Sequence, residues 1–102
     1  LIEAVVETLF ENSQQAGARQ VRIFTQTNGR RVILSVADDG PGIPSAEHER
    51  IFEPFHTSRR SEGGSGLGLS IARSLLASAD ATIFSRPAER GALFEISLPR
   101  AD

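Results

Sequence analysis

Apolar side chains recur along residues 1 to 15 at the spacing of one helix face. Ile2, Val5, Val6, Leu9 and Phe10 mark that face, and Ser13 continues it. Gly17 follows as a C-terminal cap. Over 19–27 the period changes to two, with Val21, Ile23 and Thr25 on one side and Arg22, Phe24 and Gln26 on the other, which predicts a strand. Asn28-Gly29 is a two-residue hairpin signal, and a second strand over 31–37 returns from it. That apolar run ends in Asp38-Asp39-Gly40-Pro41-Gly42-Ile43-Pro44, after which Ser45 can cap a short helix over 46–51. Residues 53–65 are polar and rich in Arg, Ser and Gly, and read as a loop. Helical spacing resumes over 67–79 through Leu67, Ile71, Leu75 and Leu76. Two further strands, 81–85 and 92–98, flank a turn at Pro87 to Gly91, and Pro99 closes the last one. The order helix, hairpin, loop, helix, strand pair predicts an α/β (α+β) two-layer sandwich, with helices on one face of a mixed sheet.

Composition removes whole chemistries. The 102 residues include no Cys, Lys, Met, Trp or Tyr, so all eleven basic side chains are Arg, against thirteen Asp and Glu. Without Cys there is no disulfide framework, thiolate metal cluster or cysteine nucleophile. Without Lys there is no Schiff base and no P-loop or kinase-strand lysine. A formal charge of -2 argues against nucleic acid or an anionic membrane as partner. Residues 1–102 are expected to form one domain, which at this size buries roughly two-thirds of its unfolded surface. No apolar run approaches the roughly 20 residues that span a bilayer. Leu1 is not an initiator residue, so the chain is expected to be a piece of a longer one.

Glycine is the informative residue. Six of the nine, Gly40, Gly42, Gly63, Gly64, Gly66 and Gly68, fall in two clusters, as where backbone approaches a ligand. Asp38-Asp39-Gly40-Pro41-Gly42 fits either an acidic turn or a carboxylate at a strand end that accepts from an amino group such as adenine's. Gly64-Ser65-Gly66-Leu67-Gly68-Leu69-Ser70 opens a helix, and so fits either a flexible linker or an anion site of backbone N–H groups. Its spacing is not a dinucleotide fingerprint, and no strand feeds into it. On the first helix Thr8 and Asn12 are four apart and share a face. Solvent accounts for that pair, as does a metal-ligating amide turned toward the glycine loops.

Taken together, these motifs resemble the GHKL superfamily, and most closely the catalytic ATP-binding domain of bacterial two-component sensor histidine kinases. Glu11-Asn12-Ser13 is similar to the core of the N box, and Asp38 to Gly42 to the first glycine box. Ile51-Phe52-Glu53-Pro54-Phe55 is similar to the F box, Gly64 to Leu69 to the second glycine box, and Phe94 to Pro99 to the usual ending. The resemblance covers essentially the whole chain and implies a Bergerat-type ATP-binding fold. It implies ATP and Mg²⁺ as cofactors, with Asn12 as the metal ligand and Asn12 and Thr8 as the catalytic pair. Asp38 would take the adenine amino group, and Gly40, Gly42 and Ile43 would shape the base pocket. Residues 53–65 would form a lid carrying Phe55 and Arg59, with Gly64, Ser65, Gly66, Leu67, Gly68 and Leu69 at the phosphates. Phe52 and Phe55 would also anchor the base of the lid in the core.

Departures from the pattern carry information. The hydrolysing branches place a water-activating Glu where this chain has Thr8, and a neutral hydroxyl is a poor general base. Glu7 is one residue off, about 100° around the helix. Glu11-Asn12-Ser13 with Ala16-Gly17-Ala18 echoes the mismatch-repair branch, so a GHKL ATPase remains a competitor, as does a degenerate docking module. Gln15 replaces a frequent Lys, Leu93 a Thr or Ser, and Ala79-Asp80 a Gly-Gly. Neither His48 nor His56 lies in the helical context of a phosphoacceptor. The resemblance implies a histidine on an upstream dimerisation domain, a downstream response regulator and a homodimeric parent protein. It also implies a cytoplasmic domain without nucleic-acid or direct membrane contact, binding nucleotide alone but turning over little.

Overall fold

The computed structural model describes residues 1–55 and 68–100. Helix α1 spans Ile2–Gln15, strands β1 and β2 span Val21–Asn28 and Arg31–Asp38, and helix α2 spans Gly68–Ala77. Strands β3 (Thr82–Arg86) and β4 (Leu93–Pro99) complete a sheet of order β1-β2-β4-β3.

Two layers form because each element is apolar on one side. Val36 of β2 lies opposite Ile23 on β1 and Phe94 on β4, and Ile96 lies opposite Ile83 on β3. Val36, Phe94, Ile96 and Ile83 meet Val5 and Leu9 of α1 and Ala72 and Leu76 of α2 in one buried cluster. Phe24, Ser35, Phe84 and Glu95 occupy the other sheet face.

The sandwich is as expected, but every described strand pair is antiparallel rather than mixed. β2 and β3, joined through α2, do run parallel, since each is antiparallel to β4. β4 lies between them, so no parallel ladder forms, as in a split β-α-β arrangement.

α1 closes as a Schellman motif. Gly17 has φ +92°, its N–H donates to the Gln14 carbonyl, and the Ala18 N–H donates to that of Ser13. The buried stripe on α1 is Val5, Leu9 and Ser13, while Phe10 is 40% exposed. On α2 the core stripe is Ala72 and Leu76 with Leu69 beside them, and the expected Ile71 and Leu75 stay exposed. Both sets satisfy helical spacing, and the small Ala72 lets the helix approach the sheet. Leu67 lies outside the described residues.

The β1–β2 turn is Gly29-Arg30, one residue later than Asn28-Gly29, because Asn28 pairs with Arg31. Only the first turn residue has positive φ, +64° at Gly29, which matches a type II′ turn. The expected 46–51 helix is instead two 3₁₀ turns, Ser45–Glu47 and Arg50–Phe52, and Ser45 makes no side-chain cap. Eight residues offer too few hydrogen bonds to offset nucleation of an α-helix. Asp80, at φ +58°, reverses the chain after α2, and its carbonyl accepts from the Arg31 guanidinium.

Candidate functional site

Asp38 is the last residue of β2, and three elements converge on its carboxylate. Oδ1 accepts the N–H of Gly40 at 3.0 Å and of Ala92 at 2.9 Å. Oδ2 accepts the Ser13 hydroxyl at 2.6 Å. In return the Asp38 N–H donates to the Ala92 carbonyl at 2.9 Å, so the start of β4 and the end of β2 clasp each other. α1, β2 and β4 are thereby locked around one acceptor group.

The glycines beside it are required by close approach. Gly42 has φ +82°, and a Cβ there would stand 2.9 Å from the Gly91 carbonyl oxygen. Gly91 has φ +72°, and its Cβ would overlap the Asp38 carbonyl. At Gly40 a Cβ would sit 3.3 Å from Asp38 Oδ1. Ile43 is half-buried and packs on the core, which keeps the loop seated.

Asp39 holds the loop from the other side. Its Oδ1 accepts the N–H groups of Arg19 at 2.7 Å and Gln20 at 3.0 Å, just after α1. Those bonds, that of Gln20 first, hold its carboxyl below the ordinary value, with Arg90 adding attraction and desolvation opposing.

The second end of the site lies one turn back along α1. Thr8 Cγ2 would stand 3.2 Å from a Cβ on Gly68, the first residue of α2, so Thr8 meets the last glycine of the second glycine box. The Thr8 hydroxyl donates to the Ala4 carbonyl at 3.1 Å. Asn12 is half-buried. Among the described residues no three His, Cys, Asp or Glu side chains gather at a metal-sized site. A lone amide oxygen fits a cation that keeps waters and arrives on phosphate oxygens, as Mg²⁺ does, rather than one caged by protein alone.

Phe52 is buried edge-on to Phe94, centroids 6.4 Å apart, with the Arg73 guanidinium 5.0 Å from its ring centroid. Phe55 does not share that anchoring: it is 60% exposed with φ +66°. Leu69 packs against the core. Arg59, Gly64, Ser65, Gly66 and Leu67 lie outside the described residues. An open cavity of about 420 Å³ lies between the Gly40–Ile43 loop and the β3–β4 turn, with His48 in its wall. Asp38, Thr8 and Asn12 do not line it. His48 Nδ1 is 2.6 Å from the buried Ser85 hydroxyl.

Two partners of Asp38 were not legible as such. Gly91 reads in the sequence only as the end of a turn, although a glycine just before an apolar strand is a usable signal. The Ala92 contact is a backbone N–H and leaves no side-chain trace.

Comparison with known proteins agrees with this fold. The profile of the family described as histidine kinase-, DNA gyrase B-, and HSP90-like ATPase matches residues 1–102. Alginate biosynthesis sensor protein KinB of Pseudomonas aeruginosa is 36% identical over 102 residues, covering 96% of this chain and 17% of that protein. The chain thus spans about a sixth of that relative. The catalytic domain of histidine kinase ThkA superposes with a TM-score of 0.83 at 31% identity, over 97% of this chain and 66% of that one. Full-length ShkA in complex with AMPPNP gives 0.84 at 30% identity, over 98% of this chain and 21% of that one.

Proposed function

The chain belongs to the histidine kinase-, DNA gyrase B- and HSP90-like ATPase family, and from that membership we propose that it is the Mg-ATP-binding catalytic domain of a two-component sensor histidine kinase. Its reaction is transfer of the ATP γ-phosphoryl group to a histidine on a separate dimerisation domain. One observation carries the reading. α1 holds the Asp38 carboxylate through Ser13 and, one turn away, brings Thr8 against Gly68 at the start of α2, with Asn12 four residues on along the same face.

In this reading Asp38 accepts the adenine amino group, while Gly40, Gly42 and Ile43 form the wall that admits the ring. Asn12 contributes its amide oxygen to Mg²⁺, which when bound neutralises charge on the triphosphate. Gly64, Ser65, Gly66, Leu67, Gly68 and Leu69 offer backbone N–H groups to the phosphates, with Arg59 as the cationic contact and Phe55 at the edge of the base. No residue of this chain becomes covalently attached. Catalysis rests on positioning and charge stabilisation, which suits phosphoryl transfer. Thr8 serves by spacing α1 from α2. Its hydroxyl proton is given to Ala4, and no base stands in its place to activate water, which argues against a hydrolytic cycle. The partners that follow are the dimerisation domain of a homodimeric parent and a response regulator that receives the phosphoryl group, on the cytoplasmic side.

The test mixes this chain with Mg-ATP and the parent's histidine-bearing domain, and measures acid-labile phosphohistidine. Transfer is expected from the wild type and none from Asn12→Ala. Asp38→Asn should weaken ATP binding by about 1.5–3 kcal/mol, the range for a hydrogen bond to a charged group. Steady phosphate release without an acceptor would replace this reading with a hydrolytic one.

A further inference from the structure

Ser13 occupies a core position, 4% exposed, on the stripe that Val5 and Leu9 fill with hydrocarbon. A hydroxyl at such a place is a loss unless it is bonded. Its donor goes to Asp38 Oδ2 at 2.6 Å, across 25 residues of sequence. We propose that Ser13 is a positioning residue for base selection: it holds Oδ2 of Asp38 so that the remaining acceptor direction is committed to an exocyclic amino group. The proposal rests on the reading of Asp38 as the adenine contact.

The argument is one of counting. An ionised carboxylate offers about four acceptor directions and no donor. Oδ1 spends two on Gly40 and Ala92, and Oδ2 spends one on Ser13. One direction is left, on Oδ2. The carboxylate cannot turn about its last torsion without breaking bonds to three elements at once. A ligand group meeting Oδ2 must therefore donate, as the 6-amino group of adenine does and the 6-oxo group of hypoxanthine does not. Without the Ser13 hydroxyl, Oδ2 has two free directions and water competes for the arrangement, so preorganisation is lost. Ser13 also adjoins Asn12 on the same rigid helix, so the base contact and the metal ligand are set by one element.

The experiment measures Kd of the 102-residue chain for Mg-ATP and Mg-ITP by calorimetry, in wild type, Ser13→Ala, Ser13→Cys and Ser13→Thr. The Cys variant keeps the volume with a far weaker donor, and the Thr variant restores the hydroxyl. The expected result is a roughly tenfold weaker ATP affinity in the Ala and Cys variants, with ITP unchanged, so that the ATP preference shrinks by the same factor. Thr should recover most of it. A purely structural role would lower both affinities together, so an unchanged ATP-to-ITP ratio in both Ala and Cys overturns the proposal while Asp38 keeps its role. A wild type that binds ATP no better than ITP overturns the reading of Asp38 itself, and the proposal with it.

Discussion

Replacing Gly91 by Ala gives a sharp test of how the site is built. The position has φ +72°, and an added Cβ would overlap the Asp38 carbonyl and stand 2.8 Å from its Oδ1. Gly29 is the control, since it has φ +64° and nothing within 4 Å of a built Cβ. Both substitutions carry the left-handed backbone penalty of about 1–2 kcal/mol. At Gly91 the overlap must also be relieved by moving β2 from β4, at about 1–3 kcal/mol. The same movement breaks the N–H bond from Ala92 to the Asp38 carboxylate, worth about 1.5–3 kcal/mol. The expected loss is therefore about 3.5–8 kcal/mol at Gly91 and about 1–2 kcal/mol at Gly29. In a domain of this size each kcal/mol moves Tm by about 4–8 °C, so Gly91→Ala should melt at least about 14 °C below wild type. Circular dichroism followed through thermal and urea unfolding reads both variants. A Gly91→Ala protein no less stable than Gly29→Ala would show that the clasp between Asp38 and the β3–β4 turn is not as close as described.

Two further outcomes follow from named residues. Asp80 holds φ +58°, its ion pair with Arg31 is long, at 3.8 Å, and its own side chain is 92% exposed, so Asp80→Gly should stabilise the chain by about 0.5–1 kcal/mol in urea unfolding; a loss would mean that the Asp80 side chain matters more than its backbone. The Asp39 carboxyl titrates below its ordinary value in the fold, so its contribution is present above the unfolded carboxylate value and fades as pH falls through the folded one. Asp39→Ala should accordingly be less stable than wild type at neutral pH, with the gap closing on acidification, and a gap independent of pH would rule out the bonds from Gln20 and Arg19 as its source.

The order of the elements and the type of the longer ones were legible because period and punctuation are local. Gly17 ends α1, the β1 alternation gives the correct faces, and the apolar run before Asp38 is a strand. Choices that depend on what lies across the core were not legible. Ile71 and Leu75 keep helical spacing as well as Ala72 and Leu76, and only the close fit of Ala72 against its neighbours selects between them. The sheet is antiparallel because β4 intrudes between β2 and β3, a long-range event that no window reveals. The one-residue shift of the turn follows from the pairing of Asn28 with Arg31, which the dipeptide signal does not encode. In the site, Asp38 and the glycines stood out by type and spacing. The link from Ser13 to Asp38 did not, because a serine on an apolar stripe reads as a filler until its partner is known.

β4 is the last strand in chain order, yet it occupies the middle of the sheet. On a ribosome the segment ending at Arg90 would present β1–β2 and β3 as separate edges, with Asp38 lacking the donor that Ala92 brings. The Asp38 carboxylate is thus fully bonded only once β4 slots between strands made before it. Such non-local pairing is slow to find. The Asp38 clasp therefore reports completion of the sheet, and a chain ending before Ala92 leaves that carboxylate short of one of its donors.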